Sequence, residues 1–164
     1  MIKIVLIGFA GCGKSTVGKL LADKLGYAFV DTDSEIEKNC QLTIPQIFEN
    51  YGEQHFRQLE SQLLTTLVEQ ENTVVSCGGG SVLAETFDAF AKNSVVVWLT
   101  ASAQTVLSRF GSTPRPLFDK LSVQQLEEFI AHRSKLYKRY SAVELATDDK
   151  TPQRVAEEIY AKVN

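Results

Sequence analysis

The chain has 164 residues, with 17 Lys and Arg against 20 Asp and Glu, for a formal net charge of −3. Its 44% apolar and 23% charged residues match ordinary globular usage, which excludes disordered, collagen-like and low-complexity classes and suits one domain with its own core. The mildly acidic balance speaks against general nucleic-acid binding, which runs on phosphate neutralisation by Lys and Arg.

Ile2 to Ile7 is a short, β-branched-rich run stopped by Gly8, the pattern of a buried parallel strand. From Lys14 the period changes: Val17, Leu20, Leu21 and Leu25 recur at helical spacing, and Gly26 follows as a C-cap. Ala28 to Val30 reads as a second strand ending on Asp31. Thr43 to Gln46 has capping-box spacing and opens a helical region, with Gly52 expected to break it before Phe56, Leu59, Leu63 and Leu67 continue. Thr73 to Cys77 is a third strand, stopped by Gly78, Gly79 and Gly80. Residues 84–92 carry a faint helical pattern, Val95 to Thr100 is the fourth strand, and a helix ending near Arg109 follows. Gly111 to Asp119 holds Ser, Thr and two prolines and reads as a loop. Ser122 to Gln125 again has capping-box spacing, for a helix to about Tyr140, and Val143 to Ala146 is a fifth strand. Thr151 and Pro152 start a last helix with Val155, Ile159 and Val163 on one face.

Strands alternating with helices imply right-handed βαβ units, a parallel sheet and an α/β fold; no repeat or linker divides the chain. The ligand site of such a sheet lies at the carboxyl ends of its strands, which here run into Gly8, Asp31, Gly78 and Thr100. Cys12, Cys40 and Cys77 form no C-x-x-C pair, and their odd number makes a poor disulfide framework, so they read as reduced thiols in the cytoplasm. Lys3 interrupts the opening apolar stretch, which is too short for a signal peptide or a membrane span, so a soluble protein is expected. No long exposed apolar stripe is evident, and a monomer is the default.

Gly8-Phe-Ala-Gly11-Cys12-Gly13-Lys14-Ser15 fits G-x-x-x-x-G-K-[ST] throughout, between a strand and an amphipathic helix. Its glycines let backbone N–H groups of Gly11 to Thr16 turn around phosphate oxygens, and the helix presents its positive end to the same anion. Lys14 would reach the β- and γ-phosphates, and the Ser15 hydroxyl would bind Mg²⁺. Cys12 reads as a small filler; the alternative is a reactive thiol, its pKa lowered by the helix N-terminus.

On the acceptor side, Asp31 and Asp33 could serve a metal-linked oxygen and a substrate hydroxyl, or Asp33 could simply cap the next helix. Arg57 and Glu60, at i and i+3, can pair; alone, that is ordinarily a solvated salt bridge. Phe48 and Phe56 would ordinarily be core. Gly78 to Gly80 is either a flexible turn or a place where backbone meets ligand. Arg115, between Pro114 and Pro116, could close over a transferring phosphate or stay solvated. Of the basic residues Arg133, Lys135, Lys138 and Arg139, one facing inward could bind an anionic substrate through a carboxylate contact.

Taken together, these motifs resemble the shikimate kinase family over nearly the whole chain. The resemblance rests on GFAGCGKST, DTDSEIE at 31–37, FRQLE at 56–60, GGG at 78–80, RPL at 115–117 and RSKLY at 133–137. It implies a three-layer P-loop kinase fold, a five-stranded parallel sheet with helices on both faces and a mobile lid at about 111–119. It places acceptor binding in a helical region at about 33–60. It implies transfer of the ATP γ-phosphoryl group to the 3-hydroxyl of shikimate, with Mg²⁺, in chorismate and aromatic amino-acid biosynthesis. By resemblance Asp33 meets the reacting hydroxyl, and Arg57, Gly79 and Arg133 hold shikimate, with Gly78 and Gly80 alongside. Glu60 orients Arg57, Phe48 and Phe56 wall the ring, and Arg115 comes down onto the phosphates. Arg109 and the Pro152 region, with Arg154, flank adenine; Ser15 binds Mg²⁺ directly and Asp31 through its water shell. Phe118 stands where a second leucine is frequent in the family. The alternatives are another small-molecule kinase such as a gluconate kinase, a nucleotide-binding module without its own acceptor, and, against the charge balance, a nucleic-acid kinase.

Overall fold

The computed structural model describes residues 2–111 and 118–164. In chain order it contains β1 (Lys3–Ile7), α1 (Lys14–Leu25), β2 (Ala28–Asp31), α2 (Thr32–Cys40), α3 (Ile44–Thr66) and β3 (Thr73–Ser76). A 3-10 turn (Ser81–Leu83) and α4 (Phe87–Ala91) follow, then β4 (Ser94–Thr100), α5 (Ala103–Phe110), α6 (Val123–Tyr140), β5 (Val143–Ala146) and α7 (Pro152–Val163).

The strands form one parallel sheet in the order β2-β3-β1-β4-β5. Each residue of β1 and β3 is buried. Successive side chains point to opposite faces, so full burial means that both faces are covered. Helices α1 and α7 pack on one another, and α4 and α6 both contact β4. Val5, Leu6, Val75, Val97 and Leu99 lie at the centre of the main core. A smaller cluster of Ile36, Ile47 and Phe56 joins α2 to α3.

Local chemistry accounts for the element ends. Thr43 and Ser122 make the expected capping boxes with Gln46 and Gln125, and Thr151 caps α7 ahead of Pro152. Gly26 terminates α1 in a left-handed conformation. Gly52 breaks the helical run as expected: with φ 83° and ψ 172° it is non-helical, a conformation open to a residue without Cβ, and α3 is two helical pieces joined by a kink there. Residues 84–92, expected to be faintly helical, hold the single-turn α4, preceded by the 3-10 turn. Lys3 does not disrupt its strand. Its ammonium donates to the carbonyls of Leu67 and Val68, both at 2.9 Å, satisfying the end of α3.

Candidate active site

The phosphate loop joins β1 to α1. Gly13, at φ 82°, opens α1 without a side-chain cap, leaving the first helical N–H groups free for an anion. Lys14 is buried, and its ammonium donates to the carbonyls of Gly8 at 2.8 Å and Phe9 at 3.0 Å. Burial pushes its pKa down, opposed in part by the charges of Asp33 and Asp31. The Ser15 hydroxyl donates to the Asp31 carboxylate and lies 3.5 Å from Ser76 Oγ. These hydroxyl and carboxylate oxygens suit a hard divalent cation accompanying phosphates. Cys12 is 1% exposed, and burial raises its thiol pKa. This burial fits the filler reading.

Between this loop and the ends of β2 and β3 lies a cavity of about 230 Å³, lined in part by Gly11, Gly13, Lys14, Ser15, Thr16, Asp31, Asp33, Gly78 and Gly79. Asp31 caps α2, its Oδ1 accepting the Ser34 N–H at 3.0 Å. Asp33 is therefore not the cap. It occupies the first turn of α2 and faces the cavity. Burial, with the charges of Glu60 and Asp31, raises its pKa to about 6 against the pull of Lys14. Ser76 and Cys77 also line the cavity, although their sequence pattern pointed only to a strand end.

A second cavity, of about 370 Å³, opens on the far side of the loop, where Gly11, Cys12, Arg109 and Pro152 meet Thr147 and Lys150. Arg109 donates to the Gly11 carbonyl at 3.0 Å, to Thr147 Oγ1 at 2.9 Å and to the Thr147 carbonyl at 3.0 Å. It thus ties the loop to the β5–α7 connection. Thr147 and Lys150 carry no motif, so the sequence reading missed them. Arg154 does not line this cavity; its exposed side chain pairs with Glu158 at 3.3 Å.

The acceptor-side residues gather around the triple glycine. Arg57 pairs with Glu60 at 2.5 Å, and Glu60, 1% exposed, also accepts from Ser81 Oγ at 2.9 Å. This corrects the solvated-salt-bridge alternative: the carboxylate is interior. Arg57 Nε is buried and has no partner among the described residues. Gly78 N–H donates to Thr32 Oγ1 at 2.9 Å, and a Cβ on Gly78 would come within 2.5 Å of an Asp33 carboxylate oxygen. Arg133 donates to the Gly79 carbonyl at 2.8 Å, whereas Lys135, Lys138 and Arg139 are exposed. Phe48 and Phe56 pack with their rings tilted and centroids 4.9 Å apart in the smaller core, and Arg57 lies 5.4 Å from the Phe56 ring. Phe118 packs on Phe9 at 5.0 Å and on Phe129 at 5.7 Å. Arg115, and with it the expected lid contact, lies outside the described residues.

A family model described as shikimate kinase matches residues 10–164. The chain belongs to the shikimate kinase family. A shikimate kinase of a Sulfurihydrogenibium species is 41% identical over 165 residues, covering 99% of this chain and 98% of the relative. One from Caldicellulosiruptor saccharolyticus is 43% identical over 164 residues, covering 97% and 94%. The solved shikimate kinase from Acinetobacter baumannii in complex with shikimate superposes with a TM-score of 0.92 at 31% identity, covering 99% of this chain and 93% of that one. The family's α/β P-loop kinase fold is the one described here. Among the described residues, no helix is long and apolar enough to cross a membrane.

Proposed function

We propose that this chain transfers the γ-phosphoryl group of ATP to the 3-hydroxyl of shikimate, giving shikimate 3-phosphate and ADP on the route to chorismate. The observation that carries the acceptor is the convergence of Arg57 and Arg133 on the glycine turn beside the phosphate loop, with Arg57 Nε buried and unpaired among the described residues. Two guanidinium groups suit a carboxylate acceptor through charge-assisted, forked contacts.

The geometry and the family resemblance together support the following roles. Backbone N–H groups of residues 11–16 and the Lys14 ammonium hold the phosphates, with Lys14 exchanging its present carbonyl partners for phosphate oxygens. Asp33 aligns the 3-hydroxyl and takes its proton as the oxygen bonds to the γ-phosphorus; the bond from that phosphorus to the β–γ bridging oxygen breaks, and ADP leaves. A carboxylate with a pKa near 6 is ionised at neutral pH yet is a stronger base than an ordinary aspartate. Arg57, oriented by Glu60, and Arg133 take the carboxylate, with Gly79 contacting shikimate, Gly78 and Gly80 beside it, and Phe48 and Phe56 walling the ring. Arg109 and Pro152 flank adenine, and the family resemblance assigns Arg115, outside the described residues, positive charge for the phosphates. Ser15 directly, and Asp31 through bound water, would hold Mg²⁺, which neutralises phosphate charge when bound. The chain acts as one domain, a cytoplasmic monomer whose partners are ATP and shikimate, not nucleic acid or membrane.

The test is ADP production from Mg-ATP with and without shikimate, with gluconate and nucleoside monophosphates as parallel acceptors. A large increase with shikimate alone is expected. Nucleotide binding without an increase from any acceptor would overturn the proposal, and a response to gluconate instead would reassign the acceptor.

A further inference from the structure

The Gly79 carbonyl oxygen has two donors. Arg133 Nη1 reaches it at 2.8 Å and the Tyr137 hydroxyl at 2.6 Å. Residues 133 and 137 are one turn apart on α6, so a single helix face delivers both. A carbonyl oxygen has two lone-pair directions, and here both are used.

Tyr137 is 1% exposed and its ring lies 5.9 Å from that of Trp98. A buried tyrosine hydroxyl needs some acceptor, and an arbitrary carbonyl would satisfy it. This carbonyl is the centre of the triple glycine. On one side Gly78 backs Asp33, and on the other Gly80 backs the Arg57 guanidinium. Three residues without Cβ have no side chain to hold their own peptide planes. The flanks are fixed separately: Gly78 N–H to Thr32, Ser81 N–H to the Gly78 carbonyl at 3.0 Å and Leu83 N–H to the Gly80 carbonyl at 2.9 Å. The Gly79 carbonyl is held from α6.

We propose that Tyr137 is a positioning residue for the acceptor: its hydroxyl holds the Gly79 peptide while the Arg133 guanidinium engages the acceptor carboxylate, keeping Asp33 and Arg57 in register across the glycine turn. This rests on the shikimate-phosphorylating reading above. Arg133 has two tasks, one to the carbonyl and one to the substrate. Tyr137, behind it, donates to the carbonyl and lies against the Arg133 side chain, and does not touch substrate. Burial raises the pKa of its hydroxyl, so it remains a neutral donor at physiological pH.

The experiment compares the wild-type enzyme with Tyr137→Phe, which removes one oxygen and keeps the ring. The KM for shikimate is expected to rise about three- to tenfold, the cost of one hydrogen bond, while the KM for ATP changes less than about twofold. Hydrogen exchange of the Gly80 amide, followed by NMR without substrate, is expected to quicken. In a cycle with Arg133→Lys, the two substitutions should be non-additive in kcat/KM for shikimate, because they share one acceptor atom. A lowered melting temperature with unchanged shikimate KM and unchanged Gly80 exchange would make Tyr137 a core residue only and overturn the proposal. Equal increases in both KM values would do the same, as the mark of general loosening. If the wild-type enzyme shows no shikimate-dependent ADP release, the functional reading fails. The Gly80 exchange then still decides whether Tyr137 holds the turn.

Discussion

A methyl group on Gly80 would occupy the space of the Arg57 guanidinium. One residue pair along, a methyl group on Gly78 would meet the Asp33 carboxylate. Neither glycine has a positive φ, so alanine suits the backbone torsion at both positions, and the nearest atoms that a Cβ would meet belong to Arg57 and Asp33. The two substitutions should therefore part. Gly80→Ala is expected to raise the KM for shikimate about tenfold or more by displacing Arg57, with kcat little changed. Gly78→Ala is expected to lower kcat by displacing Asp33. Steady-state kinetics on the pair checks this, and identical effects on both constants would contradict it.

Asp33→Asn should lower kcat about 100-fold or more while ATP binding stays within about twofold, since proton transfer by a positioned group is worth that much. In the wild-type enzyme, kcat/KM for shikimate should fall as pH drops through about 6, where Asp33 protonates. A profile flat from pH 5 to 8 would remove Asp33 from the reacting hydroxyl.

The same carboxyl has a stability consequence of the opposite sense. Its folded pKa, about 6, lies above its ordinary value of 3.8, so the folded state binds the extra proton between them. Its contribution is fully favourable below about pH 3.8 and is lost as pH rises through about 6. Asp33→Asn should thus be more stable than wild type at pH 8, by at most about 3 kcal/mol, with the gap narrowing below pH 5. Urea unfolding at the two pH values measures it.

Arg57→Ala combines two losses. Its shikimate KM should rise about 10- to 100-fold for a missing charge-assisted contact. It should also unfold more easily, by about 3 kcal/mol, because among the described residues interior Glu60 then keeps the Ser81 hydroxyl alone as hydrogen-bond partner. Full stability in Arg57→Ala would show that Glu60 does not depend on the pair.

Thiol labelling tests the buried cysteines. Iodoacetamide should modify Cys40 in the native protein and spare Cys12 and Cys77, both 1% exposed with raised pKa values, until the chain is unfolded. Rapid labelling of Cys12 that ATP blocks would restore the reactive-thiol alternative.

The phosphate loop, the capping boxes at Thr43 and Ser122 and the alternation of strands with helices were legible along the chain, because each is a short-range pattern of backbone freedom, capping oxygens or apolar spacing. The pairing of Arg57 with Glu60 was legible for the same reason: three residues along a helix bring the groups together whatever surrounds it. What surrounds it was not. Burial of Glu60, the arrival of Thr147 at the second cavity and the reach of Tyr137 to the Gly79 carbonyl depend on residues 21 to 98 positions away. Linear spacing carries no record of such contacts. Packing of α6 brought Arg133 and Tyr137 onto the Gly79 carbonyl, and burial with the charges of Glu60 and Asp31 raised the pKa of Asp33.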